Sequence, residues 1–171
     1  MGAGTPIRVE EYLASAYRPD RDFVAGVLLE RNWGERDHSR LQTRFGIWLY
    51  ANRARFRIEV FFELRVQVST DRFRVPDICV VADQSPKEQI ITHPPLICIE
   101  ILSKSDTMHE MQDRIDDYLR FGVPEVWVLN PRNGKAWIYT RDGAHEVKEA
   151  MLRSVDGRVE VPMAEIDLET S

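Results

Sequence analysis

The sequence predicts an α/β domain in which a sheet carries helices on its faces. Three observations lead there. Helical and strand-like periodicities alternate along the chain, the pattern of a layered sheet-and-helix fold. Two segments, RVPDICVV and PPLICIEILSKSD, are apolar runs rich in Ile, Val and Cys, as expected of strands covered on both faces. The 171 residues show no internal repeat, low-complexity tract or linker, so residues 1–171 read as one domain. That length buries a core without disulfides or a structural metal.

The elements follow in order. TPIRVEEYLASAY reads as a short helix with Thr5 as N-cap and Pro6 at the first helical position; Val9, Tyr12, Leu13 and Ala16 form its apolar face. RDFVAGVLLERN turns at Ala25 and Gly26 between two short strands. GERDHSRLQTRFGIWLYANR predicts the first long helix. Leu41, Phe45, Trp48 and Leu49 share one face, Glu35, His38 and Gln42 lie on its flank, and Arg36, Arg40 and Arg44 make a basic stripe on the far side. RIEVFFELRVQVST predicts one long strand, closed by a turn at STDR. FRVPDICVVAD and PPLICIEILS are the two buried strands, joined by a loop, QSPKEQIITHPP, with room for a helical turn. SDTMHEMQDRIDDYLRFG predicts the second helix, with Ser105 as N-cap, Asp106 complementing the dipole and Gly122 ending it. Its buried face is Met108, Met111, Ile115 and Leu119. PEVWVLN and KAWIYT then form a hairpin across PRNG, and the remainder is short strands and turns.

Composition narrows the function class. Hydrophobic content of 43% with 30% charged residues fits a globular chain. No apolar run approaches the ~20 residues that cross a membrane, and the first residues carry no apolar signal core, so the expectation is a cytoplasmic protein. Cys79 and Cys98 lie inside the apolar strands and read as buried free thiols rather than a disulfide. Two Cys and four scattered His make no zinc pattern. A net charge of −5 argues against a protein that coats nucleic acid by charge alone, but leaves room for a local basic groove.

The chemistry rests on two acids placed where core strands should carry none. Asp77 shares a face with Cys79 and Val81, and Glu100 shares one with Leu96, Cys98 and Leu102. A buried carboxylate without a partner costs several kcal/mol. The partner is an arginine, a set of backbone amides or a metal ion. Carboxylates are ordinary ligands of Mg²⁺. The bland alternative is that Asp77 ends a turn and Glu100 pairs with an arginine from a facing helix. Ser103 and Ser105 have no acid–base partner placed around them and read as strand-end and cap residues.

RVPDICVVAD, PPLICIEILSKSD and DRIDDYLRFGVPEVWVLNP together resemble, segment by segment, the bacterial Uma-two family of restriction-endonuclease-like proteins, whose superfamily motif is written PD-(D/E)xK. The resemblance runs from EEYLASAY to KAWIYT. It is carried most specifically by Pro76-Asp77, by Glu100 with Ser103, and by the FGVPEVWVLNP tail. It implies a central mixed β-sheet flanked by helices, with Asp77 and Glu100 as the two metal-binding acids for Mg²⁺ or Mn²⁺. Glu35 and His38 match first-helix positions near the metal. The superfamily lysine belongs two residues past the glutamate, where Leu102 stands. The family's alternative place for it, four residues before Tyr118, holds Arg114. Arginine stabilises phosphate charge but cannot serve as a base. Lys104 is a nearby substitute.

The expected function is a Mg²⁺-dependent endonuclease acting on nucleic acid, with DNA favoured. Asp77 and Glu100 hold the metal, Arg114 or Lys104 steadies the transition state, and Arg36, Arg40 and Arg44 contact the backbone, with Arg53, Arg55 and Arg57 as further candidates. The rival reading keeps the fold, loses the catalysis and serves as a binding or assembly module. For each residue a plainer role stands beside the functional one: a local bond for His38, a salt bridge to Asp117 or Glu110 for Arg114, solvent exposure for Lys104 and the arginine stripe. A homodimer through the apolar strands and the Trp127–Trp137 region is a further expectation.

Overall fold

The computed structural model describes residues 6–31, 35–166 and 168. Its centre is a six-stranded mixed sheet. β3 (Ile58–Phe62), β6 (Ile78–Ala82), β7 (Ile97–Ile101), β8 (Glu125–Asn130), β9 (Lys135–Thr140) and β10 (Gly143–Glu146) lie in the order β10-β9-β8-β7-β6-β3. β7 and β8 are parallel and every other neighbouring pair is antiparallel. The parallel pair needs a crossover, and helix α4 (Met108–Phe121) provides it.

Strand alternation decides which helix each side chain meets. Ile78, Val80, Ile97, Ile99 and Ile101 point into the layer filled by Leu41, Phe45 and Leu49 of helix α2 (Arg36–Ala51). Cys79, Val81 and Cys98 point the other way, onto Met111, Ile115 and Tyr118 of α4. The α2 layer is closed by the hairpin β11 (Met151–Arg153) and β12 (Glu160–Pro162) and by a 3₁₀ turn at Met163–Ile166.

A smaller antiparallel sheet stands beside the large one. It is built from β1 (Asp22–Val24), β2 (Val27–Leu29), β4 (Val66–Ser69) and β5 (Arg72–Arg74), in the order β2-β1-β5-β4. Helix α1 (Val9–Ala14) supplies Tyr12, which stacks on Phe23 and meets Phe73 to make a third core.

Several boundaries differ from the sequence reading. α1 starts at Val9 behind Arg8, so Pro6 precedes the helix and Ala16 follows it; Thr5 lies outside the described residues. The expected long strand is two strands in two sheets, β3 and β4. The chain leaves β3 at Glu63, whose φ of 50° is left-handed. FRVPDICVVAD is likewise split. β5 ends before Pro76, which has no N–H to give a ladder, and β6 begins after Asp77. Asp77 therefore sits at a bend between the sheets rather than within a strand. The first long helix ends at Ala51, and Arg53–Phe56 form a separate short helix, α3.

α4 starts later than expected. Thr107, not Ser105, is its N-cap, in a reciprocal capping box with Glu110. Met108 is therefore in the first turn and 83% exposed rather than buried. The stop at Gly122 is as expected, with φ 111°. Cys79 and Cys98 are cross-strand neighbours and free thiols. Trp127 lies wholly within the core against Phe45, so it offers no surface to a second copy. Among the described residues no helix is long and apolar enough to cross a membrane.

Candidate active site

The large sheet, the small sheet and helices α2 and α4 meet around Asp77 and Glu100. Pro76 breaks the strand, and the bend that follows turns the Asp77 carboxylate, 3% exposed, toward α2. Both of its oxygens are engaged. Arg31 Nη2 donates to Oδ1, and the Ile101 backbone N–H donates to Oδ2 at 2.7 Å. His38 Nε2 lies 3.1 Å from Oδ2. Gln42 Nε2 fixes the Asp77 carbonyl at 3.0 Å. Burial acts to raise the pKa of Asp77. The His38 hydrogen bond, the Arg31 charge and the Ile101 amide outweigh it and hold the carboxyl below its usual range.

Glu100 is the opposite case. Only 1% of it is exposed, on the α4 face of β7. Tyr118 Oη donates to Oε1 at 2.7 Å. Arg114 Nη1 is 3.7 Å from Oε2, an ion pair too long for a hydrogen bond. Burial and the neighbouring Asp77 charge push Glu100 up to about 7, against the opposing pull of Arg114, Arg31 and the Tyr118 hydroxyl. His38 moves upward too: burial opposes its charged form, but its hydrogen bond to Asp77 and that carboxylate's charge prevail. Its Nδ1 is buried without a hydrogen-bond partner among the described residues.

Asp77 lies at a cleft of about 100 Å³ whose wall includes Arg31, His38, Gln42, Asp106 and Arg114. Glu100 does not line it, but lies 3.7 Å from Arg114, which does. Arg114 reaches beyond its own helix, to Asp22 at 3.5 Å and to Glu100 and Asp106 at 3.7 Å each, and its charge also acts on Glu110 of α4.

The other candidates are more distant. Glu35 is the residue before α2, and its carboxylate accepts the Lys104 backbone N–H at 3.3 Å, so it steadies the loop after β7. The Lys104 side chain is exposed and does not line the cleft. Arg36, Arg40 and Arg44 are exposed on the side of α2 away from His38 and Gln42. Asp106 accepts from the Ser103 N–H at 2.7 Å and the Ser103 hydroxyl at 2.9 Å, so Ser103 is a hydrogen-bonded loop residue and no nucleophile.

Two contributors escaped the sequence reading. Arg31, just past β2, is the principal counter-ion of Asp77. Its signal was absent, because a single arginine after a short strand looks like any surface residue. Asp22 opens β1, accepts from Arg74 at 2.9 Å and from the Val75 N–H at 3.0 Å, and stands behind Arg114.

The donor chemistry fits a hard divalent cation. Asp77 and Glu100 offer carboxylate oxygens, Asp106 faces the same cleft, and the crowded negative charge that raises Glu100 is what such an ion relieves. Among the described residues no three His, Cys, Asp or Glu donors are gathered tightly enough to hold a metal unaided.

Comparison with known proteins agrees with this architecture. The sequence profile of the Uma2 family, described as "Putative restriction endonuclease", matches residues 9–169. A crystal structure of a "putative nuclease belonging to DUF820" from Anabaena variabilis superposes with a TM-score of 0.81 at 19% identity, covering 94% of this chain and 97% of that one. At that identity the likeness shows the fold, a mixed sheet flanked by helices. No curated protein matches the sequence. With the match spanning nearly its whole length, the chain belongs to the Uma2 family.

Proposed function

We propose that this chain is a metal-dependent endonuclease that hydrolyses phosphodiester bonds, with DNA the favoured substrate and Asp77 and Glu100 holding Mg²⁺ or Mn²⁺. One observation carries the reading: the buried carboxylate of Asp77 lines a cleft that Arg31 and Arg114 also line, and a second buried carboxylate, Glu100, lies 3.7 Å from Arg114 and within reach of the Asp77 charge. Membership of a family described as "Putative restriction endonuclease" supports it.

When bound, Mg²⁺ supplies a Lewis acid for the phosphate and acidifies the attacking water. The chain's own residues do the rest. His38 and the Ile101 amide orient Asp77, Gln42 fixes its backbone, and Tyr118 orients Glu100. Arg114 stabilises charge on the phosphoryl oxygens as it builds in the transition state. It stays protonated, so it takes no proton from water. The exposed arginine stripe of α2 binds backbone phosphates beyond the cleft, in a salt-dependent way.

The test is calorimetric titration of Mg²⁺ and Mn²⁺ into the wild type and Glu100→Ala, followed by a hydrolysis screen on single- and double-stranded DNA and on RNA. Binding in the wild type and loss in the variant, with metal-dependent cleavage, is the expected result. No metal binding at millimolar concentration, with or without nucleic acid, overturns the reading and leaves a non-catalytic binding member of the fold.

A further inference from the structure

We infer that Arg31 is a built-in counter-ion that occupies Asp77 until a phosphodiester draws it away, so that metal and substrate enter the cleft cooperatively. The inference rests on the reading of Asp77 and Glu100 as metal ligands.

The argument is one of charge and place. Asp77 is nearly inaccessible, and both of its oxygens are engaged, Oδ1 by Arg31 and Oδ2 by His38 and the Ile101 amide. The Arg31 side chain is itself only 9% exposed, and it lines the cleft. A divalent ion on Asp77 would set two extra positive charges beside a guanidinium shielded from water. Arg114 is already there, and like charges at such range in a poorly solvated site repel strongly. Arg31 therefore has to exchange its partner as the metal arrives.

Besides Asp77, the acids whose charge acts on Arg31 are Glu100, Asp22 and Glu63; Arg114 already shares Glu100 and Asp22, and Arg74 takes Asp22. Glu63 Oε1 is 3.8 Å from Arg31 Nη1, but Glu63 is 43% exposed and gives a weak, solvent-screened pair. A phosphodiester entering the cleft is a better one. It carries a full negative charge, and its oxygens match the planar fork of a guanidinium. Transfer of Arg31 from Asp77 to phosphate frees a carboxylate for metal and fixes the substrate in one movement. Coupling of this kind is reciprocal: nucleic acid tightens metal, and metal tightens nucleic acid. It also suppresses metal loading in the absence of substrate. If Asp77 is open in about a tenth of molecules, apparent metal affinity falls about tenfold.

The experiment is Mn²⁺ titration by calorimetry into wild type, Arg31→Gln and Asp77→Asn, each alone and with phosphorothioate DNA, with Mn²⁺ binding to the DNA itself subtracted. The expected result is that Arg31→Gln binds Mn²⁺ about tenfold or more tightly than the wild type without DNA. DNA then tightens binding to the wild type by a similar factor and hardly changes the variant. Equal or weaker binding by Arg31→Gln, while Asp77→Asn abolishes binding, overturns the exchange and makes Arg31 a fixed structural ion; the nuclease reading survives that outcome. No Mn²⁺ binding by wild type or Arg31→Gln, with or without DNA, overturns the metal reading and the inference together. Should Arg31→Gln fail to fold, the wild-type arms decide: no tightening by DNA overturns the proposal.

Discussion

Two acid–arginine clusters lie side by side in this molecule, and they are balanced differently. Around the small sheet, Arg74 is buried between Asp22 and Asp117 and reaches them at 2.9 and 2.8 Å. Arg72 and Arg120 add further contacts to Asp117, and the Val75 amide adds one to Asp22. Cations and donors there match or exceed the acids. At the cleft, both oxygens of Asp77 are engaged by strong donors, while Glu100 behind Arg114 has, among the described residues, one hydrogen bond, from Tyr118, and a share in an arginine that also faces Asp22 and Asp106. The first cluster is a strut joining β1, β5 and α4. The second holds one acid in its charged form and forces its neighbour up to about 7. Buried charge alone does not mark a site; unevenly compensated charge beside a cleft does.

The sharpest way to break that contrast is to remove the arginine of the strut. Arg74→Met strands two buried acids and should cost about 3–5 kcal/mol, the range for breaking one side of a buried ion network. Urea unfolding measures it. A loss under about 1 kcal/mol would mean that Arg72 and Arg120 carry the cluster and that it is not a strut built on Arg74.

Glu100→Gln should have the next largest effect, and its sign depends on pH. The folded pKa of Glu100 lies above the ordinary glutamate value, so between about 4.5 and about 7 the native state holds a proton that the unfolded chain has released. Wild-type stability from this group therefore falls as pH rises through that window. The amide variant lacks the fall. Relative to wild type it should gain roughly 1–3 kcal/mol between about pH 4 and about pH 8. Denaturant unfolding at the two pH values reads it directly. A pH-independent difference would place Glu100 among the fully compensated acids and erase the distinction between the clusters. Metal binding runs with the same group: proton and cation compete for Glu100, so affinity should rise as pH increases through about 7.

Tyr118→Phe should be milder. The hydroxyl is the one hydrogen-bond donor to Glu100 among the described residues, and its bond strengthens when the acid is charged. Its removal should destabilise the protein by roughly 1–2 kcal/mol near pH 8 and by less near pH 5. It should also drive the pKa of Glu100 higher, which a shift of the stability–pH curve would reveal. An equal loss at both values would show that the hydroxyl serves packing and not the charge of Glu100.

Much of this was legible in the sequence, for physical reasons. Apolar periodicity marked α2, α4, β7, β8 and β9, because each buries a full face or both faces. Asp77 and Glu100 stood out as acids where burial forbids them unless they are compensated. The breaks were harder. From Ile58 through Val68 every second residue is apolar, with Phe61 the one apolar residue in between, and the left-handed backbone at Glu63 sends the two halves to different sheets. A glutamate carries no sign of that conformation, which glycine or asparagine would have flagged. Pro76 did mark a break, but the acid after it read as strand. Arg31 and Asp22 were invisible because their partners are distant in sequence: 46 residues separate Arg31 from Asp77, and 52 separate Asp22 from Arg74. Local patterns report local structure, and an ion pair across two sheets leaves none.

Lys104→Met tests the smallest expected effect, at the residue that the sequence offers as a nearby substitute for the missing lysine. Lys104 follows Glu100 by four positions, in the loop after β7. Its backbone N–H is engaged with Glu35, while its ammonium is exposed and lies off the cleft wall. Substitution leaves the backbone bond in place and should change stability by no more than about 0.5 kcal/mol. Metal affinity should be unchanged, because the ammonium touches neither acid. Arg114→Met makes the informative partner, since Arg114 lies within 3.7 Å of Glu100 and Asp106 and should matter for hydrolysis. Cleavage that survives Lys104→Met and fails in Arg114→Met assigns the cationic role to α4. The reverse pattern would mean that the loop after β7 rearranges when nucleic acid binds and carries Lys104 to the phosphate. The cleft would then be completed by substrate, and the contrast between a finished strut and an unfinished site would extend to its backbone as well as its charges.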